Sequence, residues 1–166
     1  MKGKYVVDVF GRTDEGKVAV LRINGFKPYF YVKSPTKPDN ATRVQKYDVF
    51  AGFKELTKTD VWKVECDSKA QFMSSSKSFK GCIVYESNLP PFLRMFHERH
   101  LGPASPIRFA EHRYTIPMDP ETEEPLYNVD MFYQCNVTEV SPAENVNIPM
   151  KVACYDLEMY SKSGMF

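Results

Sequence analysis

Two carboxylates near the carboxyl end of the sequence, Asp156 and Glu158, are the residues best suited to chemistry. They lie one residue apart in "KVACYDLEM", a run typical of a strand, so their side chains point to the same face. Two like charges on one face repel each other, and burying them without a partner is costly. Mg²⁺ or Mn²⁺ removes both problems, because carboxylate oxygens are the preferred ligands of these ions. Two such ions held about 4 Å apart can drive phosphodiester cleavage.

The alternative for this pair is a solvated strand whose carboxylates hold no metal. The surrounding sequence favours the metal, because the other face of the strand is apolar and a Ser161-Lys-Ser-Gly turn follows it. Two carboxylates on one strand do not complete a two-metal site. A self-sufficient nuclease is therefore not expected.

Charge is divided unevenly along the chain, although the formal net charge is only +1. Residues 1–80 hold 16 basic and 9 acidic side chains, a net of +7, and residues 81–166 hold 6 and 12, a net of −6. A basic half can contact phosphates and an acidic half can hold metal. The alternative is two solvated faces that happen to differ.

Aromatic and histidine side chains give two further candidate sites. Tyr29 and Tyr31 in "FKPYFYV" share one face of a predicted strand, where they could stack single-stranded bases. The alternative is that both belong to the core or to an interface. His97, His100 and His112 could bind a metal, for which ordinary surface positions are the alternative.

Turn and capping patterns divide the sequence into short elements. The predicted strands are 4–11, 18–23, 26–33, 61–66, 82–87 and 129–140, the last as one long strand or a hairpin. The first three are expected to form an antiparallel meander through Asn24-Gly25. A helix capped by Asp39 or Asn40 is predicted to run towards Phe53. A short helix capped by Asp67 or Ser68 is predicted to run through Phe79. Another is predicted from Asn88, with Pro90 and Pro91 in its first turn, to Gly102-Pro103, followed by a loop over 103–125.

This interleaving of strands and helices predicts an α+β fold with a mostly antiparallel sheet. The stretch "SPAENVNIP" (141–149) is predicted as a linker, so residues 1–149 form one domain and residues 150–166 begin another. No apolar run approaches the ~20 residues that span a bilayer. With no signal-peptide pattern at the amino terminus, an intracellular protein without a membrane partner is expected.

Three stretches of the sequence together resemble family B DNA polymerases, especially the delta-like and large-DNA-virus members. "VFGRTDEGKVAVLRINGFKPYFYV" is similar to their amino-terminal domain, and "CIVYESNLPPFLRMFHERHLGPASPI" to the next stretch of that domain. "KVACYDLEMYSKSGMF" resembles their first exonuclease motif, with Tyr155 and Leu157 in place of the usual Phe and Ile. The resemblance covers essentially the whole chain, in the family's order.

The resemblance implies that Asp156 and Glu158 are the first two metal-binding carboxylates of a 3′→5′ proofreading exonuclease that uses Mg²⁺ or Mn²⁺. It implies an RNA-recognition-like sheet within residues 1–149 and a ribonuclease-H-like domain beginning at residue 150. The other exonuclease carboxylates and the polymerase motifs would follow Phe166. The chain is accordingly expected to be an inactive fragment of a replicative DNA-directed DNA polymerase.

The partners implied for the whole enzyme are primer–template DNA and deoxynucleoside triphosphates, with a sliding clamp or processivity factor as a further candidate. If the source is viral, the whole enzyme would be located in the host nucleus or at a cytoplasmic replication site. The alternative function is a free-standing module that binds single-stranded nucleic acid without catalysis.

Overall fold

The structure of this protein is a computed structural model that describes residues 3–47, 58–110 and 112–144. These ranges form two four-stranded sheets, one two-stranded ribbon and two α-helices. The strands are β1 (Val7–Arg12), β2 (Val18–Asn24), β3 (Tyr29–Lys33), β4 (Ala41–Tyr47), β5 (Lys58–Glu65), β6 (Ile83–Tyr85), β7 (Ile107–Arg108), β8 (Arg113–Tyr114), β9 (Met131–Asn136) and β10 (Ser141–Pro142). The helices are α1 (Lys69–Ser78) and α2 (Pro91–Glu98). The predicted α+β class with mostly antiparallel sheets is confirmed.

The first sheet has the strand order β1-β2-β9-β8. A tight turn joins β1 to β2, in which Gly16 has a φ of +81° and the amide of Thr13 donates to the carbonyl of Lys17 at 2.9 Å. β9 lies parallel to β2, with Leu21 opposite Tyr133. Because parallel neighbours need a long crossover connection, the second sheet and both helices lie between β2 and β9 in the chain.

The second sheet has the order β4-β5-β3-β6 and is antiparallel throughout. Its inner strand β3 is buried on both faces, because alternation sends Phe30 and Val32 to one side and Tyr29 and Tyr31 to the other. A strand that is apolar on both faces belongs inside a protein rather than on its surface. β3 therefore contributes to two separate hydrophobic clusters.

These two clusters make up the core. The larger one lies between the two sheets and α2, and it includes Leu21, Tyr133 and the fully buried Met95. The smaller one lies between the second sheet and α1, where the rings of Phe72 and Phe30 meet edge to face with centroids 5.8 Å apart. The second sheet is thus a middle layer that is covered on both sides.

Helix α1 begins at its predicted cap, whereas α2 begins at Pro91, three residues after the predicted start at Asn88. Ser68 caps α1 by accepting a hydrogen bond from Gln71 N at 3.1 Å, which satisfies one of the free amides of the first turn. Pro91 opens α2, where its missing N–H costs little because first-turn amides have no helical partner. α2 ends at Glu98, before the predicted Gly102-Pro103. Among the described residues, no helix has the length and apolar character needed to span a bilayer.

The predicted helix towards Phe53 is wrong over its described part, because residues 41–47 form the edge strand β4. Asn40 has a φ of +53°, whereas a helix N-cap has an extended backbone. The β-branched Thr42 and Val44 favour a strand, and β4 pairs along its whole length with β5. Residues 48–57 lie outside the described ranges.

The predicted three-strand meander is also wrong. β3 pairs with β5 and β6 rather than with β2, because the free edge of β2 is taken by β9. The Asn24-Gly25 pair, which predicts a tight hairpin, instead forms a corner at which the chain leaves the first sheet for the second. Gly25 has a φ of +84° there.

The last described residues are hydrogen-bonded to α2 and to β7. β9 is shorter than the predicted strand over 129–140 and ends in a 3₁₀ turn, Val137–Glu139. Arg99, at the end of α2, donates from Nε to the carbonyl of Val140 at 2.8 Å. β10, at the start of the predicted linker, pairs with β7, which lies in the region predicted as a loop. The predicted linker is therefore anchored at its start, while its remainder and the boundary at residue 149 lie outside the described ranges.

Replacing Gly25 by alanine tests the corner between the two sheets. A Cβ at Gly25 would lie 2.5 Å from Nδ2 of Asn136, and its φ is positive. We expect Gly25→Ala to lower the free energy of unfolding by about 1–3 kcal/mol, measured by urea denaturation. Gly11→Ala is the matched control, since nothing lies within 4 Å of its Cβ position. Equal stability of the two variants would show that this corner carries no constraint.

Candidate nucleic-acid interface

The predicted metal ligands Asp156 and Glu158 lie outside the described residues, so their role stays a prediction. Within the described ranges no group of three or more His, Cys, Asp or Glu side chains is placed to hold a metal ion. The three candidate histidines, His97, His100 and His112, are exposed and do not form such a group.

Tyr29 and Tyr31 lie on one face of β3 as the sequence predicts, but both are buried, with exposed fractions of 6% and 5%. Their rings meet edge to face with centroids 5.5 Å apart. The hydroxyl of Tyr29 donates to the Glu98 carboxylate of α2. Burial and this hydrogen bond raise the pKa of Tyr29 above its usual value. Neither ring presents an open face for base stacking.

Cations cover the faces of these two rings. The guanidinium of Arg94, on α2, lies 4.5 Å from the ring centroid of Tyr29, and Lys63 Nζ lies 4.0 Å from the same centroid. Lys46 Nζ lies 4.8 Å from the centroid of Tyr31. Cation–π contacts of this kind are favourable, and here they are part of the packing that buries both rings. The alternative that both tyrosines are core residues fits this arrangement.

Arg94 is the residue that sequence reasoning missed. It is buried, donates to the Tyr29 hydroxyl at 3.4 Å, and its Nη2 forms a close ion pair with Glu86. That contact lacks hydrogen-bond geometry, so it acts through charge. Glu86 sits at a φ of +58°, which points to a constrained backbone. The sequence does contain a signal for this ion pair. Glu86 and Arg94 are the acidic and the basic residue that flank the Asn88-to-Pro91 turn, within a motif that is otherwise mostly apolar.

The second sheet and α1 form a basic unit, in which all the cations except the half-buried Lys63 are exposed. Over residues 33–47 and 58–80 the chain has nine basic and four acidic side chains, a net of +5. The cations are Lys33, Lys37, Arg43, Lys46, Lys58, Lys63, Lys69, Lys77 and Lys80. Clusters of lysine and arginine contact phosphates without reading sequence. The charge of this unit is compatible with contacts to a nucleic-acid strand, and that role stays a prediction.

The exposed end of the β4–β5 pair adds an aromatic side chain to this charge. Tyr47 is 54% exposed, lies opposite Lys58 in the register, and has Lys58 Nζ at 5.4 Å from its ring centroid. Lys46 precedes it in β4 and lies over the ring of Tyr31, while Arg43 is paired with Asp60 at 2.5 Å. An accessible ring with an ammonium group beside it, here Tyr47 with Lys58, is the combination that binds single strands without sequence preference.

Comparisons with known proteins bear on this arrangement. No protein-family profile matches the chain. It is 24% identical over 207 aligned positions to the DNA polymerase of Pyramimonas orientalis virus, covering 99% of this chain and 16% of that protein. It is also 24% identical over 183 positions to the DNA polymerase of Paramecium bursaria Chlorella virus NY2A, covering 98% of this chain and 19% of the relative. The chain thus spans less than a fifth of these relatives.

Among solved structures, the fold is similar to the family B DNA polymerase of the hyperthermophilic archaeon Pyrobaculum calidifontis. The TM-score is 0.60 at 20% identity, over 86% of this chain and 20% of that one. The DNA polymerase of Acanthamoeba polyphaga mimivirus is similar as well, at 24% identity over 95% of this chain. The resemblance to family B DNA polymerases drawn from the sequence is confirmed.

Removing lysines from the basic unit tests the interface. We expect Lys46→Gln with Lys58→Gln to weaken binding of a single-stranded oligonucleotide. The slope of log K against log salt should become shallower by about 1.4, since each phosphate contact to a single strand contributes about 0.7. Fluorescence anisotropy over a salt series measures both quantities.

The control for this pair is Lys4→Gln with Lys27→Gln, which removes the same charge from exposed lysines outside the unit. An identical loss of affinity and slope in both double variants would mean that only net charge matters. In that case the basic unit would not be the interface.

Proposed function

We propose that this chain is the amino-terminal part of a replicative family B DNA polymerase of a large DNA virus, extending into the first strand of its proofreading exonuclease domain. The observation that carries the proposal is the near-complete coverage of the chain by DNA polymerases of three such viruses, at 95–99%. The fold similarity at a TM-score of 0.60 supports it independently of sequence identity.

In this proposal residues 150–166 form the first strand of a ribonuclease-H-like exonuclease domain. Asp156 and Glu158 would hold Mg²⁺ or Mn²⁺, and the metals would supply a water-derived nucleophile and stabilise the leaving oxygen. The side chains of the pair bind and orient the ions on one face of the strand. The other ligands would come from the additional length that the relatives possess.

Residues 1–149 would brace the exonuclease domain and border the template path. The second sheet, with the order β4-β5-β3-β6 and α1 on one face, is the part that we assign to the RNA-recognition-like sheet. Because its other face is covered by α2 and the first sheet, it would contact the template through its basic edge rather than through stacked bases. Primer–template DNA, deoxynucleoside triphosphates and a processivity factor would be partners of the whole enzyme.

The second candidate function is a free-standing module that binds single-stranded nucleic acid without catalysis. The net charge of +5 on the basic unit favours it, since that charge suits any single strand. The coding sequence that follows codon 166 separates the two. A long continuation with further carboxylate motifs supports the polymerase, and a stop codon supports the module.

The exonuclease assignment is tested in the longer polymerase by Asp156→Ala with Glu158→Ala. We expect excision of a mismatched 3′ terminus to fall by several orders of magnitude, since the metals supply nucleophile and charge stabilisation together. Correct nucleotide incorporation should change little, because polymerisation uses other carboxylates. Single-turnover excision and incorporation are measured side by side.

Asp156→Asn with Glu158→Gln serves as the isosteric control, because it keeps the side-chain volumes and removes only the charge. Near-wild-type excision in both double variants would contradict the metal assignment. A collapse of excision and synthesis together would indicate a structural role for the pair. The 166-residue chain alone is expected to show neither activity.

A further inference from the structure

The outer side of strand β1 is an unpaired sheet edge. In the first sheet β1 pairs with β2, and no strand of the described residues pairs with its other side. Natural edges are usually protected by lysine, proline, a bulge or a very short length. β1 has the sequence VDVFGR and pairs regularly with β2 over all six residues. We propose that this edge pairs in antiparallel fashion with β1 of a second copy of the chain.

The turn between β1 and β2 determines which backbone groups face the open edge. The amide of Thr13 donates to the carbonyl of Lys17 at 2.9 Å. Hydrogen-bonded and non-hydrogen-bonded residue pairs alternate along an antiparallel ladder, so the odd-numbered residues of β1 bond to β2. The amides and carbonyls of the even-numbered residues, Asp8, Phe10 and Arg12, therefore point away from β2. In the isolated chain these groups are left to water, and a second strand can bind them.

The side chains of the same three residues lie on the outer face of the first sheet, opposite the core face that carries the odd-numbered valines. Phe10 is 64% exposed in mid-strand, and its ring meets that of Tyr127 edge to face with centroids 5.8 Å apart. Asp8 is half-buried and paired with Arg22 at 2.8 Å. Arg12 is exposed, and it takes part in none of the ion pairs of the described residues. An exposed ring thus lies between a carboxylate and a guanidinium.

One register joins two copies of this edge with matched charges. When Phe10 lies opposite Phe10 of the second copy, Asp8 lies opposite Arg12 of the second copy, and the reverse pair forms by symmetry. Residues directly opposite share a face, so two pairs of opposite charge flank an aromatic pair, a favourable arrangement across strands. Every outward amide and carbonyl of the three residues then finds a partner. Sliding one copy by two residues leaves Asp8 or Arg12 without a partner and ends the charge match.

The other edge strands of the two four-stranded sheets are less suited to pair with themselves. β8 has two residues and β6 has three, which gives too short a ladder. β4 has seven residues, but it contains Arg43 and Lys46 and no carboxylate. Two copies of β4 would therefore bring like charges together, and cations of this kind protect an edge from pairing. Among these edges, β1 is the one whose own sequence complements itself.

The pairing would join the first sheets of two chains into one continuous sheet. A two-fold contact uses the same surface on both copies, so the assembly closes at the dimer. The edge of a six-residue strand is small beside the ~800 Å² that each partner buries in a standard interface. Association is therefore expected only at high protein concentration. The basic unit contributes no residue to this contact, so the inference does not rest on the proposed function.

Sedimentation equilibrium of the 166-residue chain, from micromolar to near-millimolar concentration, tests the pairing. We expect the apparent mass to rise towards twice that of the chain. Phe10→Lys places two like charges opposite each other and should raise the dissociation constant about tenfold, as should Phe10→Glu. An equimolar mixture of these two variants brings opposite charges together and should restore association. Ile83→Lys is the matched control, since Ile83 is 57% exposed in edge strand β6 of the other sheet, and it should leave association unchanged.

Two further measurements locate the contact on this edge. Arg12→Glu keeps the ring of Phe10 and sets a carboxylate opposite Asp8, so it should also weaken the dimer. Amide hydrogen exchange at low and high concentration should show slower exchange at Phe10 and Arg12 as the dimer forms. The amides of the odd-numbered residues of β1, which bond to β2, should exchange slowly at both concentrations. Circular dichroism of each variant checks that its fold is retained.

A chain that stays monomeric at every concentration overturns the proposal. A dimer that both Phe10→Lys and Arg12→Glu leave intact, or that Ile83→Lys weakens equally, contradicts it as well. Failure of the mixed Phe10→Lys and Phe10→Glu variants to associate would contradict the register centred on Phe10. Unchanged exchange at Phe10 in a dimeric chain would assign the contact to another surface and would likewise overturn the pairing of β1.

Discussion

The double burial of strand β3 is the constraint on which the rest of the structure depends. Phe30 is fully buried on one face and Tyr31 is 5% exposed on the other, so each face must be covered by another layer. α1 covers the first face and α2 with the first sheet covers the second. Burying large apolar side chains is the main favourable term in folding. The order of strands and the parallel return of β9 follow from the need to close both layers.

This constraint also decides which surfaces remain for function. Tyr29 of the larger cluster contacts the buried Arg94, which is paired with the half-exposed Glu86. These contacts are costly to break because the buried charge of Arg94 would lose its partners. The aromatic face of the second sheet is consequently structural. The surface that we propose for nucleic acid is the exposed end of the β4–β5 pair, on the basic half of the chain.

Much of this could be predicted from local sequence, and the exceptions have physical causes. The cap at Ser68 depends on neighbouring residues, so pattern alone predicts it, and the prolines at 90 and 91 place the start of α2 to within three residues. Strand β4 did not follow its capping pattern, because pairing with β5 outweighed the local preference of Asn40. The corner at Gly25 depends on a strand more than a hundred residues later in the chain, β9, which no local pattern reveals. For Tyr29 and Tyr31 alternation predicts the shared face, but burial depends on where α2 packs.

We propose that the tyrosines of β3 are buried in the core and do not contact nucleic acid, whereas the edge of the same sheet does. The most direct measurement is ¹⁹F NMR of the chain labelled with 3-fluorotyrosine, with resonances assigned by single Tyr→Phe variants and titrated with single-stranded DNA. Tyr47, which is 54% exposed beside Lys58, should shift on binding, while Tyr29 and Tyr31 keep their positions. Shifts at Tyr29 or Tyr31 with an unchanged Tyr47 would contradict the account.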